Sequence, residues 1–195
     1  MLAAIALSIS GCGSSPTPVT PATPTTQKPS DGVVGVMKPE VRYYKGTSSV
    51  TSPDGKTPYG PPTDDIVQRT VDPQAGTIVE DVISAGKDIP TTMHRVGTTS
   101  VFEVSDVAGT FSGKVTFEGP EWQWDSWTYA ISLGNTGSLS GTGKLVAGTI
   151  TTDKMFSGPD GKPSARISET LAPSTADEFA SEKKRLLAMP APQHR

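Results

Sequence analysis

The sequence predicts a mainly β protein, an antiparallel up-and-down barrel of about eight or more strands with one short C-terminal helix. Three observations predict it. From about residue 40 onward, apolar residues recur at every second position in short runs, the period of a half-buried strand. Turn residues with a definite mechanism separate these runs, so consecutive strands pair as neighbours. A single window near the end carries helical spacing and the terminal charges a helix prefers. Closure into a barrel leaves no exposed strand edge; a β-sandwich is the alternative use of the same strands.

The chain has 195 residues and a formal net charge of −3, enough for one domain with appendages. It opens MLAAIALSISGCGSSPTP, an apolar run from Leu2 to Ile9 leading through Ser10 and Gly11 to Cys12. This resembles the signal peptide and lipobox of bacterial lipoproteins. The resemblance implies that residues 1–11 are a lipoprotein signal segment and that Cys12 is lipidated as the mature N-terminus. Small residues before the cysteine leave the backbone beside the thiol open to a peptidase. No cationic segment precedes the apolar run, which a start codon further upstream would supply. The run is shorter than the roughly 20 apolar residues of a spanning helix. Gly13, not Asp, follows the cysteine, so the expected address is the outer membrane, on its periplasmic or exterior side. Cys12 is the sole cysteine of the chain, which excludes an intramolecular disulfide.

Residues 12–32 comprise the cysteine and a Pro/Thr-rich tether. The stretch GSSPTPVTPATPTTQKPSDG contains five prolines and almost no large apolar side chain, so it cannot bury enough surface to offset its ordering entropy. At about 3.1 Å per residue it reaches up to roughly 60 Å from the bilayer. Residues 33–190 are assigned to the barrel and its helix, and residues 191–195 to a tail.

Within the domain the first strand is Val41–Val50. A Pro/Gly-rich connection, residues 51–63, follows it and carries Tyr59 as its large side chain; a connection of this length is either a lid or a passive loop. Further strands are Ile66–Asp72, Thr77–Ser84 and Thr99–Asp106. In the next run, GTFSGKVTFE, Phe111, Gly113, Val115 and Phe117 share one face, and Ser112, Lys114, Thr116 and Glu118 the other. Leu139–Thr151 and Ser164–Leu171 complete the set. In VDPQAGT, Pro73 suits the first turn corner and Gly76 a positive φ. PDGK occurs twice, at Pro53–Lys56 and Pro159–Lys162, as turn chemistry without the ligand spacing of a calcium loop. The helix falls in APSTADEFASEKKRLLAMP: Thr175 and Glu178 match a capping box, acids precede bases along it, and Phe179, Leu186 and Leu187 are its packing candidates. The basic triplet Lys183–Arg185 reads as a solvated face.

This order of parts, over roughly residues 40 to 189, resembles the calycin-type barrels that include lipocalins and fatty-acid-binding proteins. The resemblance is architectural. The Gly-x-Trp signature of the lipocalin first strand is absent, and VRYYKG stands there. What it implies is a fold that permits a small ligand inside.

Chemistry is sparse. No Gly-x-Ser-x-Gly elbow, dinucleotide loop, phosphate loop or His-Glu-x-x-His occurs. The two histidines, His94 and His194, cannot make a His-rich zinc site, and neither metal nor cofactor is expected. Lys and Arg are scattered with no basic stripe, so nucleic acid is not an expected partner. The candidate ligand-binding residues are Trp122, Trp124, Trp127, Tyr129, Tyr59, Arg69, His94 and Arg95. His94 and Arg95 either orient an anionic head group at the barrel mouth or form an exposed pair. Arg69 shares a face with Val67 and Val71, and either points inward to a carboxylate or lays its stem along apolar neighbours outside. The three tryptophans fall within six residues. Alternation puts Trp122 and Trp124 on one face and Trp127 and Tyr129 on the other, and a β-bulge at Asp125-Ser126 would bring them together. They are then either a packed core or the wall of a ligand pocket. The leading expectation is a non-enzymatic envelope module binding a small apolar or amphipathic ligand. The alternatives are an interaction protein with a filled barrel and, third, a cofactor-free isomerase or cyclase whose groups would be Asp81, Glu103 and His94.

Overall fold

The structure, a computed structural model, describes residues 38–189. The signal segment, Cys12, the tether and the tail with His194 lie outside the described residues. Ten strands run in chain order: β1 (Glu40–Thr51), β2 (Thr63–Asp72), β3 (Thr77–Ser84), β4 (Lys87–Arg95), β5 (Val101–Asp106), β6 (Ser112–Glu118), β7 (Ser126–Ser132), β8 (Ser138–Val146), β9 (Thr149–Ser157) and β10 (Pro163–Ser174). Each pairs antiparallel with its sequence neighbour, and β10 pairs with β1 to close the barrel. The predicted architecture is therefore the observed one. A short 3-10 turn, Gly134–Thr136, sits between β7 and β8, and α1 (Ala176–Leu187) ends the described chain.

Alternation decides what lies inside. On β5, β6 and β7 the buried residues Phe102 and Val104, Val115 and Phe117, and Trp127, Tyr129 and Ile131 all fall at every second position. Outward positions on the same strands include Glu103, Lys114 and Glu118, the reverse of a membrane-spanning barrel, whose lipid-facing band is apolar. No described helix is long and apolar enough to cross a membrane. Curvature comes from inward glycines: a Cβ on Gly113 would lie 2.3 Å from the Ala130 carbonyl oxygen, and one on Gly141 2.2 Å from that of Asp153. The wall can bend there because no side chain is present.

Three places depart from the sequence expectation. β4 was not expected as a strand, because KDIPTTMHR contains a proline and charges. Pro90 is outward, and β5 pairs only with Thr91–Arg95, so the missing N–H falls just before that ladder begins. The expected strand Leu139–Thr151 is two strands, turned at Ala147-Gly148, both at positive φ. Ala85-Gly86 makes the same two-residue turn between β3 and β4. The third departure is the tryptophan segment, described below.

The helix does not cap the barrel mouth. It lies on the outer wall against β1 to β4, where Phe179 and Leu186 cover the outward-facing Ile66 and Ile83, with Tyr43 beside them. Leu187 stays exposed. The basic triplet meets carboxylates on the wall: Lys183 reaches Asp81 at 2.6 Å and Asp88 at 3.0 Å, and Arg185 reaches Asp64 at 2.7 Å. Thr175 caps the helix, its hydroxyl accepting from the Glu178 N–H at 3.2 Å. The Glu178 carboxylate does not return the bond; it pairs with Lys45 and accepts from Ser174. Thr175→Ala is expected to cost about 1 kcal/mol in urea unfolding, with Thr175→Ser close to the parent. An alanine variant as stable as the parent would mean the cap does not hold this helix.

Candidate functional site

The two barrel ends differ. At the end bearing the β6–β7 connection, residues 119–125 form a loop rather than the expected strand, so no bulge at Asp125-Ser126 is needed. Gly119 and Trp122 both take positive φ, at 106° and 61°, which turns the loop back over the barrel mouth. The main chain is then pinned by Asp125 N–H to the Glu118 carbonyl and Leu145 N–H to the Asp125 carbonyl, at 3.1 and 2.7 Å. Trp122 and Trp124 are both buried. Trp124 stacks on Phe117 at 4.6 Å between centroids and meets Phe102 edge-on at 5.2 Å. Trp122 lies 5.0 Å from Trp124, and Phe117 continues to Trp127 at 6.0 Å. The tryptophans thus form one cluster by way of a folded-in loop.

Arg95 fastens this loop. Its guanidinium donates to the Thr98 and Thr99 carbonyls at 2.8 and 2.6 Å, pairs with Glu121 at 2.5 Å and lies 5.2 Å from the Trp122 ring centroid. His94, its neighbour, is exposed on the outer face across from Glu103 and Thr77. Tyr59 is at the opposite end of the barrel, 55% exposed. Its hydroxyl donates to the Ser164 carbonyl at 3.1 Å, and Thr51 bridges to Pro58, so its loop extends the β1 edge and leans on β10. Of the sequence candidates, the structure gathers Trp122, Trp124, Trp127, Tyr129, Arg69 and Arg95, and leaves Tyr59 and His94 apart. The acid–base groups considered from sequence do not meet inside either: Asp81 faces outward to Lys183, and Glu103 and His94 are exposed.

Charged side chains nonetheless line the interior, and of those that do the sequence reading offered Arg69 alone. Arg69 points inward and holds Glu80 Oε1 through Nε and a terminal nitrogen at 2.7 and 2.6 Å, with its guanidinium 5.3 Å from the Trp127 ring centroid. Burial opposes the Arg69 charge, yet Glu80 and the nearby phenols hold its pKa above the ordinary value. Lys154 pairs with Glu169 Oε2 at 3.3 Å and lies 5.8 Å from the Tyr129 centroid, and Thr152 donates to the same oxygen at 3.0 Å. Trp127 Nε1–H donates to the Tyr129 hydroxyl at 2.5 Å. Burial, reinforced by Glu80 and Glu169, pushes the Tyr129 phenol well above its usual range, so it stays neutral. For two of these residues the phase of the strand was the missed signal: Lys154 falls two residues beyond Thr152, and Glu169 between Ile167 and Leu171.

Asp65 is the outlier. It is fully buried, and neither carboxylate oxygen has a hydrogen-bond partner among the described residues. Burial pushes its pKa up to about 6; the Ser84 and Ser48 hydroxyls pull against this without ordinary hydrogen-bond geometry, Glu169 adds to it and Lys154 opposes it. The unfolded chain releases this proton near the ordinary 3.8, so between about pH 4 and 6 the native state binds more protons. Stability therefore falls as pH rises through that window, by about 3 kcal/mol from this group, and the deficit persists above it. Urea titrations at pH 4.5 and 7 should show greater stability at the lower pH, and Asp65→Asn should flatten the difference. A parent protein with the opposite slope in this window, unaltered by Asp65→Asn, would contradict the assignment.

Among the described residues no three His, Cys, Asp or Glu side chains converge to hold a metal ion. A surface depression of about 290 Å³ lies beside α1, lined by Lys45, Asp177, Glu178, Ser181 and Glu182, away from the tryptophans. The class these features define is a closed antiparallel meander barrel with an aromatic plug at one end and buried charges in its interior. No protein-family model matches the chain, and no curated protein matches it either.

Proposed function

We propose that this chain is a lipid-anchored protein of the bacterial envelope, tethered through Cys12 to the outer membrane, whose barrel takes up a small amphipathic ligand. The observation that carries the reading is a fully buried carboxylate, Asp65, neither of whose oxygens has a hydrogen-bond partner among the described residues. An unpaired charge is costly to bury unless something else meets it. Two further features support it. Ten strands enclose a wider interior than the roughly eight that side chains just fill. The interior also sets buried charges beside aromatic side chains, as the two parts of an amphiphile would require.

The protein purified from its host membranes should carry a lipid-like molecule visible by native mass spectrometry, and Trp emission should respond to amphiphiles. A protein that is repeatedly empty, with emission indifferent to a panel of such ligands, would sink the reading. The second reading is an interaction protein. It is favoured by the continuous apolar cluster from Trp122 and Trp124 through Tyr129 to Ile131 and Ile167, which would serve as a plain core. An envelope protein recovered stoichiometrically on the barrel's outer surface, with no small molecule inside, would decide for it.

A further inference from the structure

We infer that the barrel's ligand carries a protonated amine, and that Asp65 and Glu169 together form its docking point. The inference rests on the reading of the barrel as a ligand container and names the chemistry of the guest.

Asp65 on β2 and Glu169 on β10 flank β1 from either side. The β1 residues paired with them in register are Gly46, opposite Asp65, and Ser48, opposite Glu169. The strand between the two carboxylates therefore projects almost no side chain, and Ser84, paired with Asp65 from β3, is also small. Gly46, Ser48 and Ser84 thus leave small positions beside the two carboxylates, with Val67, Ile167 and Leu171 next to them, while the far end of the barrel is built from Phe102, Phe117 and tryptophans.

Three buried acceptor atoms here have no hydrogen-bond partner among the described residues: both oxygens of Asp65 and Oε1 of Glu169. The second oxygen of Glu169 already receives Thr152 and Lys154. The two interior cations are each engaged, Arg69 with Glu80 and Lys154 with Glu169. An ammonium group answers these three acceptors with three donors and a positive charge on a compact head. Its apolar tail would extend toward the Tyr129 and Trp127 rings, which lie beyond Lys154. A divalent metal ion fits less well, since no third carboxylate, His or Cys joins the pair among the described residues.

The test is calorimetric titration of the full chain with octylammonium, octanol and octanoate, three probes of equal chain length and different head charge. Octylammonium should bind about tenfold or more tightly than the other two. Asp65→Asn should weaken it about tenfold or more, while Glu103→Gln, the same change of charge on the outer face, should leave it unaltered. Urea unfolding of Asp65→Asn keeps the result interpretable: retained or increased stability together with lost octylammonium binding marks a docking role. Octanol or octanoate binding as well as octylammonium, or an unaffected Asp65→Asn variant, overturns the amine assignment and leaves the container standing, with water satisfying the carboxylates. No binding by any of the three overturns both.

Discussion

An Arg69→Met variant is expected to be about 3–5 kcal/mol less stable than the parent, among the largest losses any single substitution in this barrel should produce. The guanidinium is buried in the wall and makes two short contacts with one oxygen of Glu80. Removing it takes a countercharge from a carboxylate with no exposed side-chain surface. It also takes away the cation that lies over Trp127. The loss measures what Glu80 forfeits when Arg69 goes, not the net worth of the pair, because burying both ions had its own desolvation cost. An Arg69→Met/Glu80→Met double variant should therefore recover most of the deficit, and the cycle reports their coupling. A single variant as stable as the parent would show that Glu80 does not depend on Arg69. A double variant no better than the single would show that the damage is one of packing.

Trp124→Ala is expected to cost a similar amount, about 3–5 kcal/mol. Trp124 is in contact with Phe102, Phe117 and Trp122, all buried, so its truncation opens a cavity among them. Its loop is also held in an unfavourable backbone shape, since a non-glycine residue at positive φ, here Trp122, costs roughly 1–2 kcal/mol. The aromatic contacts must outweigh that strain, so losing one ring should loosen the whole loop. Proteolysis between Gly119 and Asp125, slow in the parent, should become fast in the variant. A variant with native stability and a protected loop would show that the tryptophans are spectators of the fold and move them toward a purely ligand-facing role.

What the sequence made legible was the local part of this structure. β6 shows why: Gly113, Val115 and Phe117 alternate with polar residues, and the inward face can be read directly. The turn at Pro73–Gly76 was legible for the same reason, with Gly76 at φ 65° as expected and Asp72 accepting from the Gln74 and Ala75 N–H groups. The two hairpins at Ala85-Gly86 and Ala147-Gly148 were not, because alanine stands where asparagine or aspartate usually announces such a turn. β3 shows the limit set by distant contacts. Its outward Ile83 is buried only because a helix a hundred residues later covers it, so both faces look apolar and Glu80 cannot be told from Asp81. Trp122 and Trp124 misled for a different reason: their spacing imitates a strand, while the glycine and proline before them and the left-handed backbone at Trp122 make a loop.

The closure between β1 and β10 also sets when this protein can exist as a folded object. Tyr43 meets Ser174 and Thr51 meets Arg166, so the last ladder joins residues separated by most of the domain. Contacts this remote in sequence make folding slow, since loop-closure entropy is lost before the ladder forms. Until β10 has emerged, β1 and β9 each carry an open edge able to pair with another chain. The helix that follows immediately spans outward from that seam across β1 to β4. Because it follows β10 directly in the chain, it ties the last strand to the first four. A protein delivered unfolded across a membrane, N-terminus first, would remain exposed to aggregation and proteases for the whole of its passage, and its survival would depend on chaperones that hold unpaired strands.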